Sequence, residues 1–227
     1  MHKRCLLLFV KSPEKGTVKS RLAKDLGEDA ALDLYRCFVL DLLQTLKGGE
    51  YAFSICYHPP EAGDAVEQWL GSSYASMPQR GNDLGERMRS AFEEVFAAGF
   101  SAAVIMGSDI PDLPHALIDE AFSSLESADS VIGPAVDGGY YLIGFRRDAF
   151  LPDIFENMPW STDTVYEETM AVLERNHADV HVLPAWRDID TLDDVKDLLA
   201  RNKTSEFRTS RTMARLLAMR GELFSSR

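Results

Sequence analysis

The first 24 residues hold a cluster of basic side chains that could bind a polyphosphate. Seven Lys and Arg and one Glu fall in this segment, so it carries +6 in a chain whose formal net charge is −12. The cations follow an apolar run, and the segment Lys11–Leu22 contains Pro13 and Gly16 before a helical pattern begins. A strand that leads through such a loop into a helix offers backbone N–H groups and mobile cations to phosphate oxygens. A solvated basic turn would explain the same residues.

Two acidic groups later in the chain could hold a divalent cation. Asp109 comes three residues after the apolar run Ala102–Met106, and Asp190 follows a second apolar run, Val180–Leu183. Because ligands bind outside the carboxyl ends of parallel strands, Asp109 is expected beside the basic loop if the two strands run the same way. A carboxylate repels a phosphate unless a cation such as Mg²⁺ or Mn²⁺ lies between them. Alternatively, Asp109 forms a turn before Pro111, and Asp190 caps the helix that follows.

Two glycine-containing segments could contact a sugar or an acceptor. The glycines of Asp137-Gly138-Gly139 allow a backbone to approach a ligand closely, and a tight β-turn explains the same residues. The polar segment Gln79–Met88 opens a helix, and its Gly85 is locally unfavourable in a first helical turn. That glycine therefore indicates the close approach of another group.

A tryptophan precedes the helical pattern Thr162–Asn176. Trp160 could line an acceptor pocket. Ser161 and Thr162 are typical helix N-caps, so the same segment also predicts an ordinary helix start.

Several common classes of site are excluded by what the sequence lacks. The segment Gly16–Ser20 has neither the first glycine nor the Gly-Lys pair of a P-loop, and no G-x-G-x-x-G or G-x-S-x-G occurs. The five histidines and three cysteines show no metal-ligand spacing, so a zinc site or a disulfide scaffold is not expected and a reducing cytoplasm is the default. The negative net charge disfavours nucleic acid as a partner.

The elements that would position these residues alternate between strand and helix patterns, which is typical of an α/β sheet. The predicted strands are Arg4–Val10, Ala52–Tyr57, Tyr74–Pro78, Ala102–Met106, Ser130–Pro134, Gly138–Phe145 and Val180–Leu183. The predicted helices are Asp25–Lys47, Asp64–Leu70, Leu84–Ala98, Pro114–Ser127, Thr162–Asn176 and Leu192–Ala200. No apolar run is long enough for a membrane span, and the first is too short for a signal peptide.

The last residues differ in character from the rest of the chain. We expect one domain over residues 1–202 and a basic helical tail over 203–227. Met213, Leu216, Leu217 and Phe224 could form an apolar stripe that packs on the same chain or forms a homodimer contact.

The chain resembles the small GT-A-like nucleotide-diphospho-sugar transferases, which include glycosyltransferase-like proteins linked to arsenosugar biosynthesis. The resemblance runs from about residue 4 to residue 200 and rests on six segments in one order: FVKSPEKGTVKSRLA, QRGNDLGERM, IMGSDIPDL, GPAVDGGYYLIG, WSTD and DIDTLDDV. KSRLA and the Asp109 segment are more distantly similar to phospholactate guanylyltransferase and molybdenum-cofactor guanylyltransferase.

This resemblance implies a single-domain GT-A fold, a Rossmann-like and mostly parallel mixed sheet with helices on both faces. It implies catalytic roles for Lys19, Arg21 and Asp109, and Mg²⁺ or Mn²⁺ held by Asp109 and Asp190, with Asp188 as the alternative second ligand. The implied nucleotide-binding residues are Lys11, Ser12, Pro13, Gly16, Lys19, Arg21, Gly81, Asp83, Leu84 and Ser108. The implied sugar or acceptor residues are Asp137, Gly138, Gly139, Tyr140 and Trp160. The opening loop departs from the glycine-rich loop of many nucleotidyltransferases.

We therefore expect a metal-dependent glycosyltransferase that uses a nucleotide-diphospho-sugar donor and a small-molecule acceptor. The alternative is a nucleotidyltransferase that forms an NDP-activated product from an NTP. A non-catalytic nucleotide-binding module is the second alternative.

Overall fold

The computed structural model describes residues 3–219, which form two compact units. The first, here called the sheet unit, contains residues 3–12, 48–107 and 114–186. The second, here called the helical unit, contains residues 13–47, 108–113 and 187–219. The loop after the first strand and the loop that carries Asp109 both belong to the helical unit.

The sheet unit contains a seven-stranded mixed sheet with the strand order β3-β2-β1-β4-β6-β5-β7. Its strands are β1 (Arg4–Lys11), β2 (Ala52–His58), β3 (Ala75–Pro78), β4 (Ala102–Met106), β5 (Ser130–Pro134), β6 (Tyr140–Arg146) and β7 (Val180–Val182). β1 pairs in parallel with both β2 and β4, and β6 runs antiparallel to both of its neighbours. The segments that follow β1 and β4 therefore both start at the carboxyl ends of these parallel strands, on the same side of the sheet. This arrangement confirms the predicted α/β, mostly parallel mixed sheet.

Eight α-helices occur among the described residues. They are α1 (Ser20–Leu26), α2 (Glu28–Thr45), α3 (Gly63–Leu70), α4 (Leu84–Ala97), α5 (His115–Ser124), α6 (Val165–Arg175), α7 (Leu192–Arg201) and α8 (Arg211–Ala218). The sheet unit holds α3 to α6, and the helical unit holds the other four. No helix in the described part of the chain is long and apolar enough to cross a membrane.

Helices lie on both faces of the sheet unit. Phe92 of α4 is fully buried in a cluster with Cys5 and Leu7 of β1. Phe122 of α5 lies beside the guanidinium of Arg4, 5.9 Å from ring centroid to carbon. Because successive strand residues point to opposite faces, Arg4 and Cys5 mark the two sides of the sheet.

The helical unit is held together by its own apolar core. Leu22 of α1, Phe38 of α2, Leu198 of α7 and Leu216 of α8 are all fully buried in one cluster. The helix α8 lies within the segment predicted as a tail and packs on the other helices of this unit. The boundary at residue 202 stays a prediction, since α7 and α8 belong to the same unit.

The apolar stripe predicted for the tail divides between core and surface. Met213 and Leu216 are buried, whereas Leu217 is 53% exposed. Phe224 lies outside the described residues.

The predicted helix Asp25–Lys47 is wrong in one respect. The chain forms two helices there, α1 and α2, separated at Gly27, whose φ of 83° is left-handed. A periodic apolar pattern continues across this break, because residues on both sides face the same core. The pattern alone therefore concealed the bend.

Candidate functional site

The ammonium group of Lys19 lies between the carboxylates of Asp109 and Asp190. Its Nζ is 2.6 Å from Oδ1 of Asp109 and 2.9 Å from Oδ1 of Asp190. The Lys19 side chain is 3% exposed, while the two carboxylates are 42% and 34% exposed. All three residues belong to the helical unit. The two acidic loops therefore meet at the ammonium of Lys19. The divalent cation that the resemblance implies for Asp109 and Asp190 stays a prediction.

Lys19 is held at the start of α1 in a strained backbone conformation. Its φ of 50° and ψ of 43° lie in the left-handed region, a conformation that residues other than glycine rarely adopt. Its carbonyl oxygen accepts a 2.8 Å hydrogen bond from the amide of Ala23. Strain of this kind costs about 1–3 kcal/mol and clusters at functional sites. The side chain at this position contacts both carboxylates.

Two contacts fix the loop that carries Asp109. The amide of Ile189 donates a 2.9 Å hydrogen bond to the carbonyl oxygen of Asp109. Three residues further on, the buried carboxylate of Asp112 accepts hydrogen bonds from Arg201 at 2.7 and 2.9 Å and from Asn202 at 2.6 Å. The loop is therefore anchored to the segment before α7 and to the last turn of α7.

Asp190 does not cap the helix that follows it. Thr191 is the N-cap of α7, with its hydroxyl accepting from the amide of Asp194 and the Asp194 carboxylate accepting from the amide of Thr191. The Asp194 carboxylate also accepts from the amide of Asp190 at 3.2 Å. The capping box thus leaves the Asp190 carboxylate directed at Lys19 and stabilises the backbone beneath it.

The electrostatics of the site favour the charged form of Lys19. Burial alone would lower its pKa, but the charges of Asp109 and Asp190 and their hydrogen bonds outweigh burial, so the pKa of Lys19 is raised. The ring of Phe38 lies 5.6 Å from the ammonium and adds a cation–π contact. The ammonium is therefore a permanent positive charge under physiological conditions.

The remaining predicted residues of the helical unit differ in exposure, and of these Arg21 contacts Asp190. Arg21 is 68% exposed, and its guanidinium is 3.8 Å from Oδ2 of Asp190. Ser108 is buried, and its hydroxyl is 3.2 Å from the hydroxyl of Tyr35. Gly16 is exposed, with a φ of 81°, and Pro13 is half-buried.

Lys11 and Ser12 lie at the end of β1 in the sheet unit. Lys11 is exposed, whereas Ser12 is 2% exposed and donates its amide to the carbonyl oxygen of His58 at 2.7 Å. Among the described residues, the Ser12 hydroxyl and Nδ1 of His58 are buried without a hydrogen-bond partner. Such orphaned groups are costly unless a ligand or water satisfies them. Sequence reasoning did not single out His58, because only the pairing of β1 with β2 brings it beside Ser12.

The predicted nucleotide residues near α4 have local structural roles. Asp83 is the N-cap of α4 and accepts a 2.8 Å hydrogen bond from the amide of Glu86. Gly81 has a φ of 142°, and a Cβ there would lie 2.8 Å from the amide nitrogen of Arg87. Leu84 is 43% exposed. These contacts leave the proposed nucleotide roles untested.

Asp137-Gly138-Gly139 forms the turn between β5 and β6. An Asp137 carboxylate oxygen accepts a 3.1 Å hydrogen bond from the amide of Gly139. Gly138 has a φ of 92°, and a Cβ on it would lie 2.0 Å from the carbonyl oxygen of Asp163. The turn interpretation is therefore correct, and Gly138 is required for close backbone packing. Sugar or acceptor roles for these residues stay predictions.

The group that approaches Gly85 is Trp160. A Cβ at Gly85 would lie 2.7 Å from the Trp160 ring and 2.6 Å from the carbonyl oxygen of Phe155. The half-buried Trp160 ring also packs edge-on against Tyr140, with centroids 6.5 Å apart. Burial raises the pKa of Tyr140 far above its usual value, so its phenol stays protonated.

The predicted cap at Ser161 or Thr162 is wrong. The helix α6 begins at Val165, and its N-cap is Thr164. The Thr162 hydroxyl instead donates to the carbonyl oxygen of Pro159 at 2.7 Å.

The donor set at Asp109 and Asp190 fits a divalent cation. Both carboxylates place an oxygen within 3 Å of one positively charged atom, and both remain partly exposed. Mg²⁺ is commonly bound by one or two carboxylates, with phosphate and water oxygens completing its coordination. No group of three or more His, Cys, Asp or Glu side chains arranged to hold a metal occurs within residues 3–219. The remaining ligands would therefore have to come from substrate and water.

Comparison with solved structures supports this assignment of the fold. A "putative nucleotide-diphospho-sugar transferase" from Desulfovibrio desulfuricans G20 is 44% identical, with a TM-score of 0.95 over 98% of this chain and 97% of that one. Rv0371C from Mycobacterium tuberculosis H37Rv, solved in complex with manganese, is 16% identical, with a TM-score of 0.54 over 88% and 99%. The CMP:2-keto-3-deoxy-manno-octonic acid synthetase complexed with CTP is 12% identical, with a TM-score of 0.52 over 88% and 99%. The last two show the fold alone.

The 44% identical structure confirms the expected resemblance to the nucleotide-diphospho-sugar transferases and the prediction of a transferase. No curated protein matches the chain in sequence. A family model described as "Uncharacterized protein conserved in bacteria (DUF2064)" matches residues 41–162, which is more than half of the chain. The chain belongs to the DUF2064 family.

Proposed function

We propose that the protein is a metal-dependent glycosyltransferase that uses a nucleotide-diphospho-sugar donor and a small-molecule acceptor. The observation that supports this most strongly is the convergence of Lys19, Asp109 and Asp190 at one point, with Arg21 on the rim. Two carboxylates, a lysine and an arginine are the groups that bind a metal–diphosphate complex. The name of the 44% identical relative agrees with this class of donor.

Each residue has a role that follows from its position. Asp109 and Asp190 would hold Mg²⁺ or Mn²⁺, which when bound neutralises charge on the diphosphate leaving group. Lys19 and Arg21 would bind phosphate oxygens and stabilise the charge that grows on them during transfer.

Nucleotidyl transfer from an NTP is the second candidate. The same cations and carboxylates would serve attack at the α-phosphorus, and the neighbour solved with CTP has this fold. The departure of the opening loop from a glycine-rich sequence favours the first candidate, because a triphosphate needs tighter backbone wrapping.

A screen of nucleotide-diphospho-sugars and NTPs would identify the donor. With Mn²⁺ present, the true donor is expected to raise the unfolding temperature through mass action. Release of nucleoside diphosphate from a sugar donor would support the first candidate, and release of pyrophosphate from an NTP would support the second.

A matched pair of variants tests the site itself. Asp109→Asn is expected to lower turnover by about 10²-fold or more and to abolish the metal-dependent shift. Asp193→Asn makes the same change at a carboxylate that is 88% exposed and paired with Lys196. Equal turnover in wild type and Asp109→Asn, with unchanged metal dependence, would show that Asp109 does not hold the metal. Donor binding without turnover in either protein would leave a non-catalytic binding module as the better interpretation.

A further inference from the structure

The ammonium of Lys19 occupies the point where the two candidate metal ligands converge. It contacts one oxygen of each carboxylate at hydrogen-bond distance. A cation bound by both Asp109 and Asp190 would lie at or next to this position. The ammonium and a divalent cation are therefore competitors for the same pair of oxygens.

The charges around Lys19 make that competition strong. Two carboxylates face one ammonium that is almost completely buried, and Arg21 adds a second positive charge 3.8 Å from Asp190. With both cations counted, the four side chains carry no net charge. A divalent cation entering without an anion would meet two positive groups and no excess negative charge.

We propose that Lys19 is the resting counter-cation of Asp109 and Asp190 and keeps a free divalent cation off these carboxylates until a phosphate engages the ammonium. This inference rests on the proposed function, and it specifies that the ligand of the site is a metal–phosphate complex. A phosphate supplies the negative charge that allows the ammonium to leave the carboxylates. The unbranched lysine side chain has the freedom to make that short displacement.

The experiment compares Mn²⁺ binding to wild type and three variants, from the rise in unfolding temperature and from calorimetric titration. Lys19→Met keeps the side-chain length and removes the charge. Lys19→Arg keeps a charge, and Lys15→Met removes one from the same loop at a lysine that is 55% exposed and paired with Asp29. No variant adds a β-branched side chain at the strained position.

Mn²⁺ alone is expected to bind Lys19→Met with a Kd lower than the wild-type value by about tenfold or more. Lys19→Arg and Lys15→Met are expected to bind Mn²⁺ as weakly as wild type does. Inorganic pyrophosphate and Mn²⁺ together should raise the wild-type unfolding temperature more than the sum of the separate effects. If Lys19→Met folds poorly without metal, Mn²⁺ is expected to restore it, because the cation replaces the lost ammonium.

The outcomes separate this inference from the proposed function. Equal Mn²⁺ affinity of wild type and Lys19→Met, or failure of Mn²⁺ to restore a poorly folded Lys19→Met, would overturn the inference. In either case, a shift with Mn²⁺ and pyrophosphate that Asp109→Asn abolishes would leave the proposed function standing. No response of any of these proteins to any mixture would instead count against the metal-dependent function itself.

Discussion

The amide of Ile189 donates a 2.9 Å hydrogen bond to the carbonyl oxygen of Asp109, and this bond joins the two acidic loops of the site. The two residues are eighty positions apart in the sequence. The bond lies between main-chain atoms, so it survives most changes of side chain. The relative position of the two carboxylates is therefore set by backbone contacts, with neighbouring side chains anchoring each loop.

We predict that Asp112→Asn destabilises the protein. Its carboxylate is 2% exposed and accepts three hydrogen bonds from Arg201 and Asn202, so loss of its charge leaves the guanidinium poorly satisfied. The free energy of unfolding is expected to fall by about 3 kcal/mol in urea denaturation. Asp193→Asn, at an exposed carboxylate, should change it by less than about 0.5 kcal/mol. Similar values for the two variants would show that the buried pair does not anchor the loop.

Two aspartates of α2 should differ in how much they stabilise α8. Asp41 is buried and accepts the amides of Arg211 and Thr212 at 3.0 and 2.8 Å, whereas Asp33 forms a half-exposed ion pair with Arg215. Asp41→Asn is expected to cost about 1–2 kcal/mol of unfolding free energy, and Asp33→Asn less than about 1 kcal/mol. Urea denaturation of both variants measures the difference. The reverse order would mean that the ion pair of Asp33 stabilises this helix more than the hydrogen bonds from its first amides to Asp41 do.

We predict that Gly85→Ala displaces Trp160. The added methyl group would lie under 3 Å from the tryptophan ring and from the carbonyl oxygen of Phe155, so one of them must move. Overpacking of this kind costs about 1–3 kcal/mol, and the tryptophan emission should shift as the ring becomes exposed. Gly107→Ala is the control, because its Cβ would meet nothing closer than 3.9 Å. Unchanged emission in Gly85→Ala would contradict the contact.

The stability of the protein should depend on pH through His58. Burial lowers the pKa of His58, Arg87 and Lys11 lower it further, and Glu61 opposes them. The unfolded chain therefore binds more protons at this position, so the stabilisation is complete above about pH 6.5 and is lost as the pH falls through the lower folded pKa. His58→Gln should flatten the stability profile below pH 6.5, measured by unfolding at several pH values. Parallel profiles for the two proteins would refute this contribution.

The sequence by itself predicted the fold class and most of the strands and helices along the chain, and it suggested which residues could bind a phosphate and a cation. The buried run Ala102–Met106 and the alternation of strand and helix patterns predicted the α/β fold, because burial periodicity is a local property. The separation of charge between the basic loop and the later aspartates pointed to a phosphate and a cation. Asp109 was predicted as a site residue from its place after a strand, since ligands bind outside the carboxyl ends of parallel strands.

Other features depended on contacts between distant residues. The break at Gly27 and the packing of Gly85 on Trp160 involve a backbone angle and a neighbour that periodicity does not reveal. Of the two roles predicted for Asp190, the cap was excluded because Thr191 and Asp194 form the capping box themselves, and the ligand role stays a prediction. The local sequence is compatible with either choice.

The contact of Lys19 with both carboxylates depends on the tertiary structure alone. The residue types and the family resemblance together predicted Lys19 as a phosphate ligand and Asp109 and Asp190 as metal ligands, which are separate roles. Folding brings one Nζ within 3 Å of both carboxylates, so the three become a single charge-balanced group. Coulomb interactions depend on distance, and the distance between residues 19, 109 and 190 is a property of the fold, which their spacing in the sequence does not contain.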